Sequence, residues 1–191
     1  MRFAEETEDF SQYEAGNSAV TIGVFDGVHL GHTRVISRLI RIKKEMGLRS
    51  SVLVTFDRHP LSVTAPDKAP PLLTTLEEKK SILRQFDLDL VVIDRFTSDY
   101  ASMDYRSFIR EKLLERFGMS NLVVGYDFRF GRDRNGSLDL IREEGEHCGF
   151  EVTVVPPAYM GGQIVSSTRI RGHISDGDIE MAAERLTRDY F

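Results

Sequence analysis

The fold of this chain is constrained most by two hydrophobic periods that alternate from one end to the other. Short β-rich runs stand at 19–25 (AVTIGVF), 51–56 (SVLVTF), 90–96 (LVVIDRF), 121–126 (NLVVGY) and 151–157 (EVTVVPP). Between them lie stretches whose apolar residues recur every three or four positions, the period of a helix with one buried face. In the first, Val35, Ile36, Leu39, Ile42 and Met46 keep that spacing up to Gly47, a natural helix stop. The second opens with Thr75 three residues before Glu78, a capping box, and carries Ile82, Leu83 and Phe86. The third carries Tyr105, Phe108, Ile109, Leu113 and Phe117 and stops at Gly118, and weaker helical patterns cover 137–147 and 177–188. This alternation predicts an α/β protein: a Rossmann-like, three-layer α/β/α arrangement with a mainly parallel sheet. Its strands would be buried on both faces, which is why they read as nearly continuous apolar runs. The stretch TAPDKAPPLLTT (64–75), with three prolines, reads as a stiff loop over the surface.

At 191 residues, 41% of them hydrophobic and 29% charged, the chain has the size and composition of one soluble domain. A formal charge of −5 argues against general binding to nucleic acid or to a membrane surface. The longest apolar runs are strand-sized, and the opening MRFAEETEDF is acidic, without the apolar core of a secretory signal. The cytoplasm is the expected location. The single cysteine, Cys148, excludes an internal disulfide and any CxxC site, and is expected as a buried or half-buried side chain near a helix end.

The stretch TIGVFDGVHLGH (21–32) places two glycines and two histidines where a strand should turn into a helix. In a doubly wound sheet, ligands bind beyond the carboxyl ends of the strands, where the strand order reverses. With the strand read as ending at Phe25, Gly27 and Gly31 would supply unusual φ angles and let a ligand approach the backbone. His32 would sit on the first helical turn, where free N–H groups and the helix dipole attract anions, and His29 can reach the same volume. Neither GxxxxGK[ST] nor GxGxxG is present. A histidine pair donating N–H bonds to phosphate suits transfer at an α-phosphate, where charge builds on the phosphorus oxygens. Two other readings stand beside it: a histidine as helix cap, and HxxH as half of a metal site. The metal reading needs a third ligand, which no cysteine, HExxH or neighbouring cluster supplies.

Further along, VSSTRIR (165–171) offers the hydroxyls of Ser167 and Thr168 and the forked donors of Arg169 and Arg171, with an ordinary helix cap as the alternative. Arg169 could point outward, which favours Arg171. GYDFRFGRDRNG (125–136) is a basic, glycine-punctuated loop in which Asp127 can accept hydrogen bonds and Arg129, Arg132 and Arg134 can face anions. Its plainer reading is a solvated loop with Phe128 and Phe130 tucked inward. His147 and His173 lack such context and read as surface residues.

The opening stretch resembles the GxFDGxHxGH motif of the HIGH-type nucleotidyltransferase superfamily. TFDRHP (55–60) resembles the TFxPHP segment, VVGYDFRFG (123–131) the VGxDFxFG segment, and VSSTRIR the ISSTxIR segment. In this order the four are similar to the FMN adenylyltransferase module of bacterial FAD synthetases, over about Ser18 to Phe191. The resemblance implies transfer of AMP from ATP to FMN, giving FAD and pyrophosphate, with Mg²⁺ carried by ATP and no metal site on the protein. It implies His29 and His32 as catalytic residues, and a nucleotide site of Gly23, Phe25, Asp26, Gly27, Gly31, Ser167, Thr168 and Arg171. Asp57, His59, Pro60 and Asp127 would place FMN. Arg58 stands where the family has proline, which bears on how the acceptor is held. It keeps open a related transferase acting on another phosphorylated acceptor, beside a non-catalytic flavin- or nucleotide-binding protein. LTRDYF (186–191) resembles the LGRPY junction that precedes a riboflavin kinase domain, with Thr187 and Asp189 in place of its glycine and proline. The expectation is therefore a single nucleotidyltransferase domain over 1–191, lacking the kinase domain and taking FMN from a separate riboflavin kinase. No nucleic-acid or membrane partner is expected.

Overall fold

The β-rich runs form one six-stranded, wholly parallel sheet in the computed structural model, which describes residues 1–5, 17–129 and 136–190. Its strands are β1 (Arg2–Glu5), β2 (Ser18–Ile22), β3 (Ser50–Phe56), β4 (Leu90–Asp94), β5 (Met119–Gly125) and β6 (Glu151–Val155), in the order β1-β4-β3-β2-β5-β6. Val20 of the central β2 lies opposite Val52 of β3 on one side and Leu122 of β5 on the other. Helix α1 (Leu30–Glu45) joins β2 to β3. Then α2 (Leu61–Thr64), a 3₁₀ turn (Pro66–Lys68) and α3 (Leu76–Leu83) lead to β4. The connection to β5 runs through α4 (Ser98–Ser102), α5 (Tyr105–Ser107), a π-helical stretch (Phe108–Leu114) and α6 (Glu115–Phe117). After β5, α7 (Leu138–Cys148) leads to β6, followed by the hairpin β7 (Tyr159–Met160) and β8 (Gln163–Ile164), then α8 (Ser167–Ser175) and α9 (Ile179–Leu186).

Strand side chains alternate between faces, and here both faces are covered. Val20, Ile22, Val52, Val54 and Val92 pack with Phe108, Ile109, Leu113 and Ile141 on one side. Ala19, Leu53, Val91 and Val123 pack with Val35, Ile36 and Leu39 of α1 on the other. That double burial explains the near-continuous apolar runs. A third cluster, Leu73, Val165, Ile170, Ala182 and Leu186, docks α8 and α9. The chain leaves β2 toward β3 and leaves β5 toward β6 in the opposite direction, so a crevice opens between the carboxyl ends of β2 and β5.

Several local expectations change. β2 ends at Ile22 rather than Phe25, because Val24 and Phe25 are apolar to pack inside a turn and not to extend the strand. β6 ends at Val155, where Pro156 and Pro157 can donate nothing to a ladder. The 64–75 stretch does not stay at the surface: Leu73 and Thr74 are buried. Cys148 is the last residue of α7 and is exposed, at the turn through left-handed Gly149 that leads into β6. β1, the β7–β8 hairpin and α8 are additions to the sequence reading.

Candidate active site

The first helix is started by a histidine. His29 is the N-cap of α1, and its Nδ1 accepts the backbone N–H of Gly31 (3.1 Å) and of His32 (3.4 Å). With Nδ1 occupied as an acceptor, the proton of a neutral imidazole must sit on Nε2. Burial lowers the pKa of His29 to about 4, so the neutral form is the one present at pH 7. The His32 ring stacks on it, centroids 3.7 Å apart and 14° from parallel, with the Phe25 ring 5.1 Å away. Burial, then the neighbouring His29 and Lys79, push the pKa of His32 well down. Its Nδ1 is buried without a hydrogen-bond partner among the described residues. One ring nitrogen of His29 builds the helix end, and the other is free of that cap and able to donate.

The turn that delivers these histidines is strained. Phe25, Gly27 and Val28 have φ of 48°, 79° and 39°, and left-handed backbone is costly for an aromatic and more so for a β-branched residue. Contacts from the 73–74 segment, from α8 and from α3 hold it. The Asp26 carboxylate accepts the N–H groups of Leu73 (2.9 Å) and Thr74 (3.2 Å) and pairs with the Arg171 guanidinium. Gly27 N–H donates to Thr74 Oγ1 (3.1 Å), and Ser167 Oγ donates to the Asp26 carbonyl (3.0 Å). Lys79 Nζ donates to the carbonyls of Val24 (3.0 Å) and Phe56 (3.1 Å) and to Thr55 Oγ1 (3.3 Å). Burial lowers the Lys79 pKa to about 8, against the pull of Asp26 and Asp57.

Above the β2–β5 crevice lies a cavity of about 300 Å³. Gly23, Phe25, His29, Gly31 and His32 line one wall; Tyr126, Asp127 and Phe128 after β5 line another. Pro156 and Pro157 after β6, with Ser166, Ser167 and Thr168 at the start of α8, complete it. Ser166 is the N-cap of α8, accepting the Arg169 N–H, so the amino ends of α1 and α8 both open onto the same space. Both ends are capped by side chains, His29 at α1 and Ser166 at α8, and their dipoles make the space between them favourable to an anion. The Asp127 carboxylate lies on the wall, exposed and without a hydrogen bond to another described residue.

Other expected ligands lie elsewhere. Asp26 and Arg171 do not face the cavity: Arg171 also donates to the Pro71 carbonyl (2.7 Å), so both charges are spent joining the β2–α1 turn to α8. Gly27 is a glycine because of the chain's own packing. A Cβ there would come within 2.9 Å of Leu73 and 3.2 Å of Leu186. Gly31 has no left-handed φ; a Cβ there would press on the His29 ring at 3.0 Å. Asp57 and His59 line a smaller recess with Val24, Arg58, Leu72 and Lys79, on the β3 side of the turn. Asp57 accepts from Phe96 N–H (3.0 Å) and Arg58 Nε (2.8 Å); burial opposes these bonds, which nevertheless hold its pKa below the usual value. His59 Nδ1 accepts the Leu61 N–H (3.1 Å), and burial with the Arg171 charge lowers its pKa. Pro60 is the N-cap of α2 and lines neither space. Arg169 is exposed and donates to Gln163 (3.0 Å). Arg129 is exposed, while Phe130, Arg132 and Arg134 fall outside the described residues. Lys79 went unread, although its spacing from Leu76 and Leu83 puts it on the buried face of α3.

Neutral histidine donors and two helix ends lie together at the switch point of a doubly wound sheet, an arrangement that can hold phosphate groups. The comparisons with known proteins specify the family. The FAD synthetase family model matches residues 11–169, and the chain belongs to that family. It is 34% identical over 175 residues to a bifunctional riboflavin kinase/FMN adenylyltransferase of Buchnera aphidicola subsp. Schizaphis graminum, covering 91% of this chain and 56% of that protein. With the protein of the same description from Escherichia coli K12 it shares 33% identity over 186 residues, 97% of this chain and 59% of the relative. The chain thus spans less than two thirds of the length of these relatives. A solved structure described as a macrolide-efflux protein from Streptococcus pneumoniae superposes with a TM-score of 0.81 at 23% identity, over 98% of this chain and 60% of its own, which shows the shared fold. Among the described residues no helix is long and apolar enough to cross a membrane.

Proposed function

We propose that this chain transfers AMP from ATP to the phosphate of FMN, giving FAD and pyrophosphate. The observation that carries the reading is the stacked His29–His32 pair at the amino end of α1, facing the amino end of α8, in a member of the FAD synthetase family. An oxygen of the FMN phosphate attacks the α-phosphorus of ATP in line. The bond from that phosphorus to the α–β bridging oxygen breaks, and pyrophosphate leaves with its electron pair. The attacking phosphate is already anionic at pH 7, so no general base is required. His29 Nε2–H, the His32 ring and the amino end of α8 stabilise charge as it builds on the α-phosphate oxygens. Gly23 and Gly31 keep the cavity wall open to the nucleotide, and Ser167 and Thr168 flank it. Asp57, His59 and Pro60, beyond the turn, and Asp127, on the cavity wall, belong to the FMN side.

ATP would enter with Mg²⁺. Asp127 is the one carboxylate lining the cavity among the described residues, a donor set that suits a cation held mainly by phosphate oxygens and water. When bound, Mg²⁺ would offset charge on the polyphosphate. We further propose that 1–191 act as one nucleotidyltransferase unit, in the cytoplasm. The test is incubation with ATP, Mg²⁺ and a panel of phosphorylated acceptors, scored for pyrophosphate and new dinucleotide. FAD from FMN alone is the expected result. Turnover with another acceptor, or flavin binding without pyrophosphate release, would replace this reading.

A further inference from the structure

Arg188 lies outside the cavity lining, yet it reaches the turn that carries the histidines. Its Nη2 donates to the Gly27 carbonyl (2.6 Å), and its Nη1 to the carbonyls of Val28 (3.5 Å) and Leu186 (3.1 Å). Gly27 and Val28 are two of the three left-handed residues of the turn, and Val28 immediately precedes the His29 cap. The approach of Arg188 is itself built. Ala182 and Leu186 of α9 are fully buried, and Thr187 takes a left-handed φ of 59° that turns the chain back toward the site. Leu186 is the side chain that a Cβ on Gly27 would meet. The guanidinium thus grips adjacent carbonyls of one strained turn, with the hydrophobic end of α9 packed beside it.

We propose that Arg188 is a positioning residue for the AMP-transfer reaction, clamping the Gly27–Val28 peptides so that His29 stays capped and stacked on His32. The proposal rests on the reading of the previous subsection. A guanidinium suits the task because its forked donors reach carbonyls of successive residues at once, which a lysine ammonium cannot do in the same geometry. Rotation of the Val28 peptide would carry the His29 ring away from the Gly31 and His32 N–H groups and from the place its Nε2–H must occupy. The charge is close enough to act on His29: Arg188, with Arg171 of α8, disfavours protonation of that ring. The groups facing His29 are His32 on α1, Arg171 on α8 and Arg188 itself; Lys79 of α3 acts on His32.

The experiment uses Arg188→Ala and Arg188→Lys in the full chain, with kcat, KM for ATP and an NMR titration of the His29 ring. In Arg188→Ala, kcat should fall about 10- to 100-fold while KM for ATP moves less than about threefold, the pattern of misplaced transition-state donors. His29 should titrate at higher pH than in the wild type, and added guanidinium ion should restore part of kcat. Arg188→Lys keeps the charge and loses the fork, so His29 should titrate near its wild-type value while kcat still falls several-fold. If Arg188→Ala does not fold, the lysine variant decides. Full kcat in either folded variant overturns the clamp, as does a loss of kcat in Arg188→Ala with His29 titrating as in the wild type. A wild-type chain that makes no FAD would sink the AMP-transfer reading instead, and the His29 titrations would still decide the clamp.

Discussion

His29 caps α1 with a buried, neutral ring, and its ionisation makes that testable. The folded ring takes a proton only near pH 4, whereas an exposed histidine takes one near 6.5. Between those values the unfolded chain binds more protons than the folded one, so stability is lost as pH falls through this window and is fully present above it. The linkage for His29 alone amounts to about 2 kcal/mol between pH 7 and pH 5. His29→Asn keeps a side-chain acceptor at the cap but has nothing to titrate, so urea unfolding should show a shallower loss over that range. The slope that remains would include His32. An unchanged slope would mean that His29 is solvated and free to ionise in the folded protein. The sequence made the presence of both histidines at the helix start legible. It could not show which nitrogen caps, because that depends on the extended backbone of His29 and the position of two N–H groups.

At the scale of the element, residues 25–28 form a turn whose conformation is unfavourable on its own and is enforced by what surrounds it. Gly27→Ala meets both a left-handed φ and contact with Leu73 and Leu186, and should cost about 2–4 kcal/mol by urea unfolding. Gly47, equally left-handed but with nothing within 4 Å of a Cβ, is the control: Gly47→Ala should cost only about 1 kcal/mol. Equal costs at the two glycines would show that packing against α9 does not constrain the turn. The long elements were readable for a physical reason. α1 buries Val35, Ile36, Leu39 and Ile42 at helical spacing, and the Thr75–Glu78 box is formed as its pattern requires. The short ones were not. β1 is only four residues long, at the sheet edge, and α8 buries only Ile170, so neither carries a period long enough to recognise. The boundary of β2 was misjudged because apolar residues fill the turn as densely as the strand.

Across the whole molecule, the β2–α1 turn and α8, whose amino end faces the cavity, are held together by an ion pair between residues far apart in sequence. The side chains of Asp26 and Arg171 are 4% and 14% exposed, so removing one partner strands a nearly buried charge. Asp26→Asn should cost about 3–5 kcal/mol and lower turnover, whereas combining it with Arg171→Met should recover part of the stability. A double variant no more stable than Asp26→Asn would argue that the pair contributes nothing as a pair. The motifs that carry these residues were legible one by one, and their convergence at the carboxyl edge followed from the strand–helix alternation. That Asp26 and Arg171 would be spent on each other was not legible, since residue type alone does not tell a ligand from a brace. The central claim is that the histidine-lined cavity moves AMP onto FMN, and the direct measurement follows α-phosphate label from ATP in the presence of Mg²⁺ and FMN. Label should appear in FAD in step with pyrophosphate release, at a rate about 10²- to 10³-fold lower in folded His32→Ala. Label that never reaches FAD, or reaches it as fast in His32→Ala as in the wild type, would contradict the account.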